Sequence, residues 1–425
     1  MFYFEAQLNP KFSNGGFENL NCLIERKAAK LQIHGGHSAG RNMLHKALSG
    51  VRVVDVSRIL AGPWCTQNLS DLGAQVLKLE HPKRGDDTRG WGPPNLKSKD
   101  GSESMSAYFM ACNRGKSSLA VDFSTKEGAD YVRDLVKDAD IFVENYKAGG
   151  LAKYGLDYAS LSKINPRLVY LSITGFGQTG PMADKPGYDY VFQGMGGLMS
   201  YTGHPDDAPG AGPLRTGVAV VDLMTGMYAT TAVLAALRQR DTTGEGIALD
   251  ICLLDVAVAM NANQGANYIV SGEIPKRTGN AHPNCAPYEV FACQDGHLIL
   301  AIGNDGQFER FCKLAGHPDW SNDPRYQTNS SRLKEMDSLR PLLSSLFKTR
   351  TRQTWTDAFD ANNVPWGPIH TLDEVFEHPQ VKHRQMLQSV EHPKFGTIKL
   401  VRNPMLYGSP SVTVEQAPPT LGQHS

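Results

Sequence analysis

Short β-branched segments alternate with helix-like segments in the first half of the chain, and this alternation limits the fold more than any other feature. VRVVDV at 51–56 and QVLKLE at 75–80 have the composition of buried strands, and a helix-like stretch separates them. A strand, a helix and a strand within about thirty residues form a βαβ unit, which places both strands parallel in one sheet. The pattern recurs in three later strands, at 118–122, 140–144 and 168–173. The sequence therefore predicts an α/β fold with a Rossmann-like, doubly wound sheet.

The second half of the chain has a different pattern. Long helical stretches lead into a loop at 276–289, and two strand-like segments follow, joined at Asp295 and Gly296. Strands joined by a short Gly-containing turn are typical of a hairpin, so we predict a smaller α+β domain here. The predicted organisation is a mobile N-terminal extension at 1–42, a large Rossmann-like domain at 43–255, a linker and small domain at 256–387, and a C-terminal segment at 388–425 that packs back on the large domain.

Charge and cysteine content narrow the classes of function. The 43 Lys and Arg residues balance the 43 Asp and Glu residues, whereas a nucleic-acid scaffold carries a strong basic excess. The seven cysteines contain no C-x-x-C pair, which indicates a reducing compartment. We predict a cytoplasmic enzyme, with the mitochondrial matrix as the alternative, and no nucleic-acid partner. His34 and His37 lack the further ligands of a metal site, so no metal is predicted.

The apolar run at 217–237 has the length of a membrane span. Asp222 lies inside it, and burying that carboxylate in a bilayer costs about 2.5–3.5 kcal/mol. We therefore predict a buried helix of a globular fold and no membrane partner.

The strand at 168–173 runs into a glycine-rich segment in which Gly175, Gly177 and Gly180 satisfy G-x-G-x-x-G. A dinucleotide fingerprint requires a helix to open at the last glycine, so that its N–H groups hold the pyrophosphate. Pro181 and the residues after it continue as a loop instead. We predict a loop that lines a site without binding a dinucleotide.

Asp222 is the carboxylate of greatest interest, because a charge-free stretch follows it as far as Leu237. One interpretation is an N-cap, in which the side chain accepts amide N–H groups and starts the helix. The second is a nucleophile, kept ionised by those amides and by the helix dipole in an apolar setting. The residue pattern alone is compatible with both.

Several motifs in a fixed order carry a family resemblance. They are LSGVRVVDVSRILAGPWCTQNLSDLGAQVLKLEHP, GDDTRGWGPP, NRGKSSLAVDF, VENYKAGGLAKYGLDY, SITGFGQTGP, GYDYVFQGMGG and GVAVVDLMTGMYA. From about residue 48 to the C-terminus, the chain resembles class III CoA-transferases, the family of formyl-CoA and carnitine CoA-transferases. In overall likeness it is most similar to the succinyl-CoA-dependent dicarboxylate branch.

The resemblance implies transfer of coenzyme A from an acyl-CoA, here succinyl-CoA, to a free organic acid, with no permanently bound cofactor. The family nucleophile falls on Asp222, which would form a mixed anhydride and then an aspartyl-CoA thioester. Supporting positions fall on Trp91, Asp189, Gly279 and Asn280. The CoA-contacting positions fall on Arg58, Ala61, His81, Lys116, Asn145, Tyr146, Lys153 and Tyr154. Relatives form interlocked homodimers, and the same is expected here.

Two alternatives stay open. The α-methylacyl-CoA racemases of this fold carry His before the Asp of a GHD element. Here the element is Gly187-Tyr188-Asp189, and a tyrosine of pKa about 10 is a poor base near neutral pH. A non-catalytic CoA-binding protein is the other alternative. Two positions also depart from relatives: Leu60 stands where formyl-CoA transferases carry Gln, and His81 stands where relatives can carry Arg.

Overall fold

A six-stranded parallel sheet forms the centre of the fold in this computed structural model, which describes residues 47–406 and 414–425. The predicted extension at 1–42, with His34 and His37, lies outside the described residues. The sheet strands are β1 (Arg52–Asp55), β2 (Gln75–Glu80), β5 (Lys116–Ala120), β6 (Ile141–Glu144), β7 (Val169–Thr174) and β10 (Ile247–Cys252). The predicted α/β class with its parallel sheet is confirmed.

The strands lie in the order β5-β2-β1-β6-β7-β10, and every neighbouring pair is parallel. This is the order 3-2-1-4-5-6 of Rossmann folds, in which the chain winds outward from β1 first to one side and then to the other. The order reverses between β1 and β6.

Alternate residues of each strand point to opposite sides of the sheet, so both faces carry apolar side chains. Helices cover both faces. Val53 belongs to a core with helices α1 (Ala61–Asp71) and α7 (Val220–Thr243). Its neighbour Val54 belongs to the core on the other face, with α3 (Lys126–Val136) and α4 (Tyr158–Ile164). The βαβ pattern of the sequence therefore produces two separate hydrophobic layers around one sheet.

Helix α7 contains the apolar run in which the sequence predicted a buried helix. Val221, Ala229 and Val233 are fully buried in the core that α1 and the sheet share. By length and composition α7 is also a candidate membrane span among the described residues. Its other face exposes Met224 and Tyr228 to solvent, so the helix is buried on one side only. The expected absence of a membrane partner stays a prediction.

A separate hydrophobic core, away from the two on the large sheet, lies between residues 286 and 364. The hairpin predicted around Asp295 and Gly296 is present as β11 (Tyr288–Cys293) and β12 (Gly296–Ala301), and β13 (Trp366–Pro368) pairs with β12. The helices of this region are α10 (Asp305–Ala315), α11 (Pro318–Asn322), α12 (Asn329–Lys334), α13 (Met336–Phe347) and α14 (Arg352–Ala361). Their apolar faces surround the buried Phe311 and Phe347.

The C-terminal part of the chain contacts the region around the large sheet. The hairpin of β14 (Leu387–His392) and β15 (Gly396–Val401) shares a core with Met105 and Phe109. The last residues lie along edge strand β5, where the backbone N–H of His424 donates to the Ser118 carbonyl at 3.0 Å. The exact domain boundaries stay a prediction.

The remaining elements are short and connect these cores. They are β3 (Asn95–Lys97), β4 (Ser104–Ser106), β8 (Gly203–His204), β9 (Gly212–Pro213), α2 (Ala107–Cys112), α5 (Asp189–Met195), α6 (Leu198–Tyr201), α8 (Leu253–Ala259), α9 (Ala262–Ser271), α15 (Leu372–Glu377), α16 (Pro379–His383) and the 3₁₀ turns Asp87–Gly90 and Ala152–Tyr154.

Candidate active site

The loops after β1 and β6 lie side by side where the strand order of the sheet reverses. The helix after β1 packs on one face and the helix after β6 on the other, so the two loops separate and leave a crevice between them. Ligands of open α/β sheets bind in such a crevice, at the carboxyl ends of the strands. Two adjoining cavities open here, and they share Arg58, Tyr146 and Lys147.

The first cavity, of about 440 Å³, is lined by charged and aromatic side chains. The cations at its wall are Arg58, Arg84, Lys147 and Lys153, and the carboxylates of Glu80, Asp86, Asp87 and Asp122 lie there too. Phe123 packs edge-on against Tyr146 and Tyr154, with ring centroids 5.7 and 5.9 Å apart. Cations suit phosphates and aromatic rings suit a base, so this cavity fits a phosphate-bearing nucleotide.

Seven of the eight predicted CoA-binding residues lie at these cavities. The first cavity contains Arg58, His81, Tyr146, Lys153 and Tyr154, and the second contains Ala61 and Asn145 together with Arg58 and Tyr146. His81 is tied into its turn, since its Nδ1 accepts the backbone N–H of Lys83 at 3.1 Å. Its ring is therefore held at the cavity by the local chain.

Lys116 is the exception, and its predicted contact with a CoA phosphate does not fit the structure. Lys116 lies at the start of edge strand β5, and its side chain is fully buried. The ammonium donates to Asn113 Oδ1 at 2.9 Å, to the Pro63 carbonyl at 3.0 Å and to Asp55 Oδ2 at 3.2 Å. Because all three protons of the ammonium have protein partners, Lys116 serves to neutralise the buried Asp55.

Asn145 joins the two loops of the crevice. Its Oδ1 accepts the backbone N–H of Arg58 at 2.9 Å, and its Nδ2 donates to the Arg58 carbonyl at 2.7 Å. A side-chain amide thus pairs with the loop as a neighbouring strand would. The position directly after β6 makes this possible, because β6 is the neighbour of β1 in the sheet.

The second cavity, of about 310 Å³, contains Asp222. The sequence offered an N-cap role for this residue, and that interpretation is wrong. Helix α7 begins at Val220, with Ala219 at the N-cap, so Asp222 lies within the first turn. The capping carboxylate comes from elsewhere in the chain: Asp189 Oδ1 accepts the N–H groups of Val221 at 2.7 Å and of Asp222 at 3.1 Å.

This arrangement reverses the expected protonation behaviour of Asp222. We expected backbone amides to keep its carboxylate ionised, but those amides bind Asp189 instead. Burial raises the pKa of Asp222 to about 7, and the negative charge of Asp189 adds to the shift. A carboxylate with a raised pKa is a stronger base and hence a stronger nucleophile once it is ionised.

Asp189 is itself held by a chain of hydrogen bonds. Its Oδ2 accepts from Gln193 Nε2 at 2.6 Å, and Gln193 Oε1 accepts the backbone N–H of Thr216 at 2.9 Å. Asp189 is buried, and both of its oxygens have donors. It therefore supports the start of α7 and does not point its charge into free solvent.

Trp91 lies beside a residue that the sequence analysis missed. Its ring packs edge-on against Tyr108, with centroids 5.0 Å apart, and 41% of its surface is exposed. Burial raises the pKa of Tyr108 to about 12, and the negative charge of Asp222 contributes next. The charge of Asp222 thus acts on the pKa of Tyr108. The β3–β4 hairpin brings Tyr108 to Trp91, and no local pattern in the sequence indicates that pairing.

Gly279 and Asn280 lie apart from both cavities. The backbone N–H of Gly279 donates to the Gly203 carbonyl at 3.0 Å, which anchors the segment to the β8–β9 hairpin, and both residues are exposed. Gly279 has a φ of 63°, a conformation that favours glycine. Their predicted part in excluding water from the site stays a prediction.

The glycine-rich segment after β7 is a loop, as expected. Gly175 and Gly187 line the second cavity, and the next helix begins only at Asp189. No helix opens at Gly180, so this segment lacks the helix N-terminus with which a dinucleotide fingerprint holds a pyrophosphate. Across residues 47–406 and 414–425, no cluster of three or more His, Cys, Asp or Glu side chains has the arrangement of a metal site.

Comparison with known proteins agrees with this geometry. The model of a family described as "CoA-transferase family III" matches residues 48–425. The chain belongs to this family. Its extent agrees with the resemblance, which began at about residue 48, and the predicted enzyme class, CoA-transferase, is confirmed.

Individual relatives of this family III CoA-transferase cover most of its length. A protein of Agrobacterium fabrum named succinate–glutarate CoA-transferase is 48% identical over 89% of this chain and 93% of its own. The Homo sapiens succinyl-CoA:glutarate CoA-transferase is 40% identical over 89% of this chain and 84% of its own. A crystal structure of a CaiB/BaiF family protein from Brucella suis superposes with a TM-score of 0.78 at 45% identity, covering 89% of this chain and 97% of that one.

Proposed function

We propose that this CoA-transferase moves coenzyme A from succinyl-CoA to a short dicarboxylic acid such as glutarate, with Asp222 as the nucleophile. The observation that carries the proposal is that Asp222 lines a cavity that adjoins a second one, in which cations and aromatic rings lie together. A nucleotide bound in the first cavity extends its thioester arm toward the second, where the carboxylate lies. The names of two relatives, succinate–glutarate CoA-transferase and succinyl-CoA:glutarate CoA-transferase, support the choice of donor and acceptor.

The chemistry proceeds by two exchanges at Asp222. The carboxylate attacks the thioester carbonyl, the C–S bond breaks, and CoA leaves as a thiolate, which gives an aspartyl–succinyl anhydride. The thiolate then attacks the aspartyl carbonyl, so that succinate leaves and an aspartyl-CoA thioester forms. The acceptor carboxylate attacks the aspartyl carbonyl of this thioester, the C–S bond breaks and CoA leaves again as a thiolate, which gives a second anhydride. The returning thiolate attacks the acceptor carbonyl, and acceptor-CoA and the free carboxylate of Asp222 result.

Both covalent states must be kept from water, because each hydrolyses readily and would lose the energy of the thioester. The partly buried position of Asp222 supports this requirement. A serine would form an oxygen ester that a thiolate attacks poorly, whereas an aspartyl anhydride or thioester stays activated. We also propose that Gly279 and Asn280 contribute to water exclusion once substrate is bound.

Labelled acids test this function against its alternatives. The protein is incubated with succinyl-CoA and one labelled acid at a time. The acids are glutarate, succinate, oxalate, carnitine and a bile acid. We expect label to enter the CoA pool with glutarate and at most weakly with carnitine or the bile acid. Exchange of an α-proton into solvent without CoA transfer would instead support a racemase. Binding of CoA with neither exchange would support a non-catalytic binding protein.

We further propose that the functional unit is a homodimer. A single chain leaves a row of large apolar side chains exposed on α9 and just after it: Ile269 is 82% exposed, Val270 87% and Ile274 77%. Contiguous apolar patches of this kind mark protein interfaces. We propose a second copy of the chain as the occupant, because the family resemblance implies a homodimer.

Light scattering at micromolar concentration tests the assembly, and we expect the mass of two chains. An Ile269→Asp/Val270→Asp variant is expected to be monomeric, because two charges would have to be buried at the interface. Val401→Asp, on the exposed face of β15, is the matched control and should leave the mass unchanged. A wild-type monomer would contradict the proposal.

A further inference from the structure

The turn between β1 and α1 adopts a backbone conformation that its sequence disfavours. Ile59 has a φ of +73°, in the left-handed region, and a β-branched side chain is strained there. Its neighbours Arg58, Leu60 and Ala61 all line the second cavity, as does Ile59 itself. Strain of this kind persists only where the surroundings impose it, and it concentrates at functional sites.

Asp86 imposes the conformation directly. Its Oδ1 accepts the backbone N–H of Ile59 at 3.2 Å and also the N–H and hydroxyl of Thr88, at 3.0 and 2.8 Å. The carboxylate therefore ties the turn to the 3₁₀ segment Asp87–Gly90. This segment follows His81 and Arg84, which belong to the wall of the first cavity.

Lys78 contacts both the turn and Asp86. Its ammonium donates to the Ser57 carbonyl at 2.8 Å and lies 2.9 Å from Asp86 Oδ2. Both side chains are fully buried. Burial opposes the ionisation of Asp86, but the Lys78 ammonium and the hydrogen bonds from Thr88 together outweigh it and hold the pKa of Asp86 below its usual value. The pair thus fixes the turn at Ser57 and at Ile59.

Stability alone does not account for this pair. Buried ion pairs are often replaced by apolar side chains with no loss of stability, because desolvating two charges offsets their attraction. The turn itself packs closely on the start of α1, since a Cβ at Gly62 would collide with the side chain of Ser57. The pair therefore acts on the shape of the turn.

We propose that Lys78 and Asp86 are positioning residues for the CoA thioester. Together they force Ile59 into its left-handed conformation, which sets Arg58 and Ala61 against the bound substrate. The inference rests on the proposed function, because it assigns the turn to the binding of the donor. Asp86 also lines the first cavity, but its side chain is buried and accepts the backbone N–H of Ile59, so its effect passes through the turn.

The test compares Asp86→Ala with Asp86→Ala/Ile59→Gly. Removing the carboxylate releases the turn, and we expect the KM for succinyl-CoA and the Kd for CoA to rise about tenfold while kcat changes less than about threefold. Glycine adopts a φ of +73° without strain. Adding Ile59→Gly should therefore lower the raised KM again by about threefold or more. A purely structural role for Asp86 predicts no such rescue.

Asp71→Ala is the matched control, since Asp71 forms another buried ion pair, with Arg114, at the far end of α1. It should lower Tm without raising the KM. If Asp86→Ala does not fold, Lys78→Met/Asp86→Leu is measured in the same way, because it buries no lone charge and still removes the acceptor for Ile59. The same rise in KM and the same rescue are expected.

Three results would overturn the inference. The first is a KM for the Asp86 variants equal to that of Asp71→Ala. The second is a raised KM that Ile59→Gly does not lower. In both cases wild-type protein still binds CoA and exchanges it, so the proposed function stands. The third is a wild-type protein that neither binds nor exchanges CoA, which would overturn the proposed function and this inference together.

Discussion

Replacing Asp222 by Asn is expected to lower the kcat for CoA exchange by about 10³-fold or more. The amide keeps the size of the side chain but cannot form an anhydride with the donor, so no covalent route remains. The fold should be unaffected, because the amides at the start of α7 bind Asp189 and not Asp222. Initial rates with succinyl-CoA and glutarate, together with the Kd for CoA, measure the effect.

Asp241→Asn is the control for this variant. Asp241 is an exposed carboxylate at the other end of the same helix, about 28 Å away at 1.5 Å per residue. It should leave kcat unchanged within about twofold. A variant of Asp222 that keeps more than about a tenth of wild-type kcat while binding CoA normally would contradict a nucleophilic role.

Replacing Asp189 is expected to change both the pH dependence and the stability of the enzyme. Asp222 must be ionised to attack, and its carboxylate gains a proton as the pH falls through its pKa of about 7. The kcat of the wild type should therefore fall below about pH 7. Asp189→Asn removes a negative charge that raises this pKa, so the acid limb should move to lower pH.

Asp189→Ala removes more than a charge. Two N–H groups at the start of α7 lose their acceptor, and loss of such a cap costs about 1–2 kcal/mol of unfolding free energy. A pH–rate profile and a denaturant titration measure the two effects separately. Asp184→Asn, an exposed carboxylate in the loop before α5, is the control and should shift neither. An acid limb that stays in place in Asp189→Asn would exclude the proposed coupling of the two carboxylates.

The sheet was predictable because its signal is local. QVLKLE at 75–80 was expected as a strand and is β2 without change of bounds, while 51–56 and 168–173 differ from β1 and β7 by one residue at each end. Alternating β-branched residues and turn glycines act over a few positions, so a single sequence contains them. The strand order does not follow from such patterns, because it depends on contacts between distant segments.

Only those parts of the site that lie in recognisable sequence motifs were predictable. Asp222 and the residues at the crevice followed from the family resemblance, whereas the charge environment did not. The cap from Asp189 spans 33 positions of the chain, and the ion pair that buries Lys116 spans 61. Tyr108 depends in the same way on how the β3–β4 hairpin folds. Long-range pairings of this kind leave no periodic trace in one sequence.

Transfer of heavy oxygen from the acceptor acid to the enzyme tests the central claim most directly. In the proposed cycle the acceptor carboxylate supplies the bridging oxygen of the second anhydride, and the thiolate then attacks the acceptor carbonyl. That oxygen therefore stays on Asp222. After turnover with labelled glutarate and succinyl-CoA, mass spectrometry of the digested protein should find label in the peptide that contains Asp222 and in no other. An unlabelled Asp222 after many turnovers would contradict the account.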